Sequence, residues 1–343
     1  MRYRSHNLGA AAAAVAGVSL LLAGCGASTT SSSKSSTKQQ PLVTAKFGST
    51  TPVDSLGGAS AAYFAQQVLK DSGGRIKITI YPNSELGGTP VINQGLQAGT
   101  IQFTSNDILD QYVPSIDVFN TAYLFPTQAI ADSVLNSTAV RKVVWNQLDA
   151  HGIHMLEVWP SGFTDIFSTL PIDSPQALSG IKIRTFVPNV EVPEYQAVGA
   201  DATDVVYDQV FTALSSHLIQ AVTDPPDLVT PLKWQQAAPY VSIVNMAYVT
   251  TPLLVSESFW TSLDSVQQAE INKAAAASLK FVVSQVNKYN AEALLTLQQD
   301  PSVHILHPSI AAFKAAFSTA YPTIEAKFPV LSKIRQLIQT ASK

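Results

Sequence analysis

Cysteine is almost missing from this chain: Cys25 is the only one in 343 residues. No internal disulfide can form, and a cysteine-ligated metal centre is excluded by the same count. Charge is also scarce, at 13% of residues, about half the usual share for a soluble domain. Ser, Thr, Gln and Asn must then cover much of the surface, and an acidic exterior that part-neutralises carboxylates is one physical cause of such a composition. No G-x-S-x-G elbow and no phosphate-cradling glycine loop is present, and nothing basic enough to hold nucleic acid occurs. His151 and His154, like His304 and His307, are three apart. The first pair spans a helix end and Gly152, and the second lies in a strand-like run where three apart means opposite faces. No metal and no cofactor is expected from either.

Long apolar runs are confined to the start. Arg2 and Arg4 precede an apolar stretch from Leu8 to Leu22, followed by Leu22-Ala23-Gly24-Cys25. That order of charge, grease and small residues is a secretion signal, and the stretch is shorter than the roughly 20 residues a membrane span needs. Because the small-residue site ends on the lone cysteine, it resembles a bacterial lipoprotein signal with its lipobox. The expectation is a signal over 1–24, a lipid such as palmitate on Cys25, and a tether over 25–41 whose Ser, Thr, Lys and Gln cannot offset the entropy of ordering. The mature protein would sit outside the cytoplasm, in the periplasm or on the outer face of the cytoplasmic membrane. Losing Arg2 and Arg4 takes 21 basic residues to 19 against 24 acidic ones, formally −5.

About 300 residues then remain, more than one core usually serves. Strands are predicted over 43–49, 75–81 and 101–104, with helices over 58–70 (Ala62, Phe64, Ala65 and Val68 inward) and 89–97, the latter closed by Gly99. This is βαβ order and favours a mainly parallel sheet. A helix over 128–151 and a strand over 154–159 follow. Ser174-Pro175 opens a short helix, with Ser accepting from free amides and Pro at the first position; Gly180 ends it and the strand 181–184 comes next. Further helices are expected near 192–198 and 208–215, and strands near 240–244 and 248–255. Residues 264–299 contain no Gly or Pro, and an unbroken helix there reaches roughly 54 Å. Leu279, Val282, Val286, Tyr289, Ala293 and Leu297 fall at steps of three or four, one buried stripe of a helix lying across two lobes.

Several stretches, in their shared order, carry a resemblance. They are Gly74-Arg75-Ile76-Lys77-Ile78 with Tyr81-Pro82-Asn83-Ser84-Glu85-Leu86-Gly87, then Gly95 to Ile101, Ala122-Tyr123-Leu124-Phe125, and Leu178-Ser179-Gly180-Ile181-Lys182-Ile183-Arg184 with Val198-Gly199-Ala200 and Val210 to Leu214. From Lys46 to about Ile310 the chain resembles the solute-binding proteins of tripartite ATP-independent periplasmic (TRAP) transporters, the dicarboxylate-binding family. The resemblance implies an α/β, two-lobed periplasmic-binding-protein-like fold with a long helix spanning both lobes. Lobe I would hold 42–160 plus 250–288, and lobe II 161–249 plus 289–343. It also implies no catalysis: a small organic acid is caught in the cleft and passed to TRAP permease subunits in the membrane. The alternative is a lipid-anchored enzyme acting on a small carboxylic acid.

An apolar strand ending on a lone guanidinium aims it at an anion, and Arg184 matches the family's ligand arginine, whose planar fork suits a carboxylate. Asp224, in Thr223-Asp224-Pro225-Pro226, stands where the family often has Asn, and suits a ligand bearing hydroxyls or an ammonium. Asp107 matches a cleft position, Tyr207 an aromatic one against the ligand, and Thr50 and Thr89 polar rim positions. Trp159 and Trp234 are candidate cleft walls. Thr164 stands where many members carry a second arginine. With one arginine and two acids, the pocket favours a monocarboxylate with hydroxyl, amino or aromatic groups over a dianion.

Overall fold

The computed structural model describes residues 42–343; the expected signal, Cys25 and the tether lie outside them. The chain starts with β1 (Val43–Gly48), α1 (Leu56–Asp71) and β2 (Ile76–Tyr81). β1 and β2 pair in parallel from Val43 opposite Ile76 to Gly48 opposite Tyr81. Ser55 caps α1 by accepting from the Gly58 amide. Phe64 and Val68 face inward as the periodicity predicts, but Ala61 joins them and Ala62 is exposed. Ala61 lies three before Phe64 and shares its face, whereas two residues before is a different side of the helix. α2 (Thr89–Gln97) and β3 (Phe103–Ser105) follow, and Gly99 turns the chain between them at φ +76°.

The single helix predicted over 128–151 is broken into α3 (Gln128–Leu135), α4 (Thr138–Val143) and a 3-10 turn over Trp145–His151. Ser137 starts α4 by accepting from the Val140 amide. Asn136 turns its side chain to Val158, donating to its carbonyl at 3.2 Å and accepting from its amide at 2.9 Å. A capping hydroxyl beside an outward-bonded amide side chain ends a helix more firmly than composition suggests.

β4 (Ile153–Phe163) runs straight into β5 (Asp165–Ser168). A 3-10 turn over Pro175–Leu178 precedes β6 (Lys182–Thr185); it has the expected proline at its start, but Ser174 makes no capping bond. Next come α5 (Pro188–Ala197), β7 (Asp201–Asp204), α6 (Val210–Ser215), β8 (Ala221–Asp224), α7 (Pro226–Val229), β9 (Tyr240–Ser242) and β10 (Tyr248–Ser256). The chain ends with α8 (Glu257–Ser262), α9 (Ser265–Gln299), β11 (His304–Leu306), α10 (Ile310–Phe317), α11 (Tyr321–Lys327) and α12 (Val330–Ala341).

Two sheets result. One has the order β2-β1-β3-β10-β4 and the other β11-β9-β5-β8-β6-β7. Both are mainly parallel, as the βαβ order predicts, and each contains one reversed strand: β10 runs antiparallel to both β3 and β4, and β5 antiparallel to both β8 and β9. The reversed strands are those that enter each sheet by direct strand-to-strand crossing, β5 after β4 and β10 after β9, whereas the third crossing, from β10 to β11, is made by α9 and lets β11 run parallel to β9.

α9 is unbroken over 35 residues, and a capping box at Asp264 and Gln267 fixes its start. It packs on α1 and β4 beside the first sheet and on α7 and β11 beside the second. Its residues Ile271, Val282 and Val286 belong to the core under the first sheet, and Leu297 to one under the second.

Candidate ligand-binding site

β6 alternates Ile183 into the core of the second sheet and Arg184 toward the first sheet. Arg184 is only 2% exposed. Its Nε donates to the Val205 carbonyl at 3.0 Å, and its guanidinium carbon lies 5.0 Å from the Phe186 ring centre and 5.6 Å from that of Tyr207. Nη1 stands 3.8 Å from Asp224 Oδ2, beyond hydrogen-bond length. One edge of the guanidinium is therefore used to fix it in place, and both terminal nitrogens are left without a protein hydrogen bond among the described residues.

Before that fork opens a hollow of about 520 Å³, lined by Thr50, Thr89 and Asp107 from the first sheet's side and by Arg184, Tyr207 and Asp224 from the second's. A neighbouring hollow of about 710 Å³ shares Thr50, Thr89, Arg184 and Tyr207 with it. The position follows from the topology. Thr50 and Asp107 lie just past the carboxyl ends of β1 and β3, and Arg184 and Asp224 at those of the parallel β6 and β8, where open α/β sheets form their crevices.

Burial dominates the electrostatics. It pushes the Asp107 carboxyl up to about 7 even though Arg184 pulls it down. Burial also holds Asp224 well above the carboxylate range, again against Arg184. Asp107 Oδ2 and the Tyr207 hydroxyl are buried and have no hydrogen-bond partner among the described residues. The hollow thus presents one fixed cation, two acids that retain their protons unusually well, and two polar atoms awaiting a partner.

Three expected residues lie elsewhere. Thr164 is in the crossing, where its Oγ1 accepts from the Ala247 amide at 3.1 Å. Trp159 faces α9 and donates to Ser278 Oγ at 3.1 Å. Trp234 is in the core of the second sheet, edge-on to Tyr207 at 5.3 Å. None of the three lines either hollow. Sequence reasoning missed Phe186, Val249 and Thr251, which do line the first. It also missed Glu191, whose Oε2 accepts from Thr185 Oγ1 and from the Phe186 and Val187 amides at 2.7 to 3.1 Å. A buried acid in the first turn of α5 therefore ties down the end of β6 next to Arg184.

Residues 47–327 match the family model described as bacterial extracellular solute-binding protein, family 7, also named DctP. The chain belongs to this family. DctP of Rhodobacter capsulatus, a C4-dicarboxylate-binding periplasmic protein, is 25% identical over 281 residues, 81% of this chain and 84% of that one. The sugar acid binding protein of Advenella mimigardefordensis, solved with galactonate, superimposes with a TM-score of 0.82 at 24% identity, covering 88% of this chain and 99% of the other. A TRAP periplasmic solute-binding protein from Bordetella, with density assigned to pantoate, gives 0.81 at 26% identity over 87% and 98%. The two-lobed architecture is common to the solved proteins. Family 7 proteins are extracytoplasmic transport components that bind solute and are not enzymes, which sets aside the enzyme alternative.

Proposed function

We propose that this solute-binding protein takes up a small organic monocarboxylate carrying hydroxyl or amino groups and hands it to TRAP permease subunits. The observation that carries the reading is the unspent fork of Arg184 at the wall of a hollow that also holds Asp107 and Asp224. A ligand carboxylate pairs with the two terminal nitrogens of Arg184, and charge-assisted bidentate pairing is the strong kind. Two acids in place of a second cation leave a second carboxylate without a charge partner, and their carboxyls accept from, or donate to, hydroxyls. Galactonate in the Advenella protein and D-erythronate in a Polaromonas relative are hydroxylated monocarboxylates of this chemistry.

The lobes proposed are 42–160 plus 250–288 and 161–249 plus 289–343, closing over the ligand with α9 across both, while α12 reaches back onto α3. A lipid on Cys25 would keep the body near the permease at high effective concentration.

The test is titration calorimetry of the mature protein against galactonate, D-erythronate, pantoate and L-malate. A hydroxylated monocarboxylate is expected to bind best. Tighter binding of malate than of every monocarboxylate would overturn the ligand class, and silence across the panel would overturn the fork's role. Mass spectrometry of the N-terminal peptide from secreting cells tests the lipid on Cys25.

A further inference from the structure

His154 is the second residue of β4, and its Nδ1 meets carboxylates from two other elements. Asp149 Oδ1, in the 3-10 turn before β4, is 3.0 Å away, and Glu257 Oε2, at the start of α8, is 3.7 Å away. One donor atom from each of the three residues falls within 4.8 Å of the other two. The strand register builds this corner: His154 lies opposite Val255, so the chain leaving β10 delivers Glu257 beside it. Trp260 stacks on the imidazole with ring centres 5.1 Å apart and planes within 10°, which fixes the ring's plane.

Glu257 Oε2 is buried and has no hydrogen-bond partner among the described residues, and 3.7 Å is too long for one with His154. Two donors held at about 2.0–2.1 Å by a tetrahedral zinc are roughly 3.4 Å apart. The observed 3.0 and 3.7 Å fall on either side of that separation. One imidazole nitrogen and two carboxylate oxygens form a zinc-type donor set of three, which a water would complete to four. The side chains are 28 to 42% exposed, so an ion can reach them.

We propose that Asp149, His154 and Glu257 form a divalent-cation site of the zinc class that fastens the start of β4 and α8 to the preceding turn. It lies at the end of β10 remote from Thr251, which lines the hollow; six residues of extended chain separate the two by roughly 20 Å. The site is therefore structural and independent of solute capture.

The experiment titrates zinc chloride into chelator-stripped mature protein at pH 7.5, with thermal unfolding in parallel. The wild type is expected to take up one zinc and to melt about 2–4 °C higher or more at saturating metal. His154→Ala and Glu257→Gln should each lose both effects. Asp149→Asn, at the most exposed ligand, should weaken them at least tenfold while leaving the metal-free melting temperature close to wild type, so one informative variant remains if the others fail to fold. No zinc uptake by the wild type, or undiminished uptake by the variants, overturns the site.

Discussion

Arg184 Nη1 and Asp224 Oδ2 face each other at 3.8 Å, with both side chains nearly wholly buried, and do not reach hydrogen-bond contact. A closed ion pair here would compete with any incoming anion, because a buried arginine fully paired to aspartate has little left to offer. The gap leaves the guanidinium held in place by Val205, Phe186 and Tyr207 and still available.

Arg184→Ala is accordingly expected to weaken binding of the best ligand of the calorimetric panel at least tenfold, since a hydrogen bond to a charged group contributes about 1.5–3 kcal/mol. Arg184→Lys should fail as well, because an ammonium does not reproduce the planar fork. Calorimetry checks both variants, and wild-type affinity in either removes Arg184 from the site.

The buried acids set a pH dependence of stability. Asp107 and Asp227 are pushed up to about 7 and Asp165 to about 6, each mainly by burial. Unfolded, such carboxyls release their protons near the ordinary 3.8; folded, they keep them longer, so the native state binds more protons between about pH 4 and 7. Stability from this source is complete below the unfolded value and is lost as pH rises through the folded ones. Urea midpoints of the ligand-free protein should be higher at pH 5 than at pH 7.5. The reverse order would contradict the assignment and with it the acidic-exterior reading of the low charge content.

Asn290 on α9 joins the crossing to α7. Its side chain donates to the Ser161 carbonyl at 3.0 Å and accepts from the Asp227 amide at 3.3 Å. Asn290→Ala leaves these groups unsatisfied and should lower the unfolding free energy by about 1–3 kcal/mol. Denaturant titration measures it, and a change within experimental scatter would remove Asn290 from any linking role.

Gly162 has φ +122°, and a Cβ there would lie 2.7 Å from Asn290 Nδ2. Gly162→Ala should therefore destabilise through backbone strain and collision together. In the Asn290→Ala background the collision disappears and the cost should shrink, so a double-mutant cycle separates the two contributions. Equal costs in both backgrounds would leave strain as the sole cause.

Trp234 touches Tyr207 edge-on, and Tyr207 lines the hollow. Ligand binding should change tryptophan fluorescence, and Trp234→Phe should remove most of that change while affinity stays within about threefold, as an aromatic-for-aromatic core replacement of smaller volume costs modestly. An undiminished signal in the variant would assign it to another tryptophan.

The parts legible in the sequence were those governed by local rules. The first βαβ unit, α2 closed by Gly99 and the unbroken α9 follow from periodicity and breakers. Arg184, Asp224, Asp107, Tyr207, Thr50 and Thr89 were placed by the family resemblance and not by local rules, and they line one hollow where strand ends converge. What stayed hidden depends on distant partners. Trp159 and Trp234 are expected as cleft walls and lie in the core instead, because composition does not say which side of a strand or helix meets the crevice. Thr164 took its expected place from a departure from family pattern, whereas the crossing uses it for a backbone bond. The break at Asn136 needed Val158, twenty-two residues later, to become visible. Glu191 carries no local signal of its role, which depends on the end of β6 being brought to it.

α9 puts side chains into the interior beneath each sheet. Neither half can melt while the other keeps its share of that rod, so heating should dissolve both in a single calorimetric peak. For the same reason, any opening of the crevice has to bend or twist about a continuous helix, since the two halves cannot slide freely past each other.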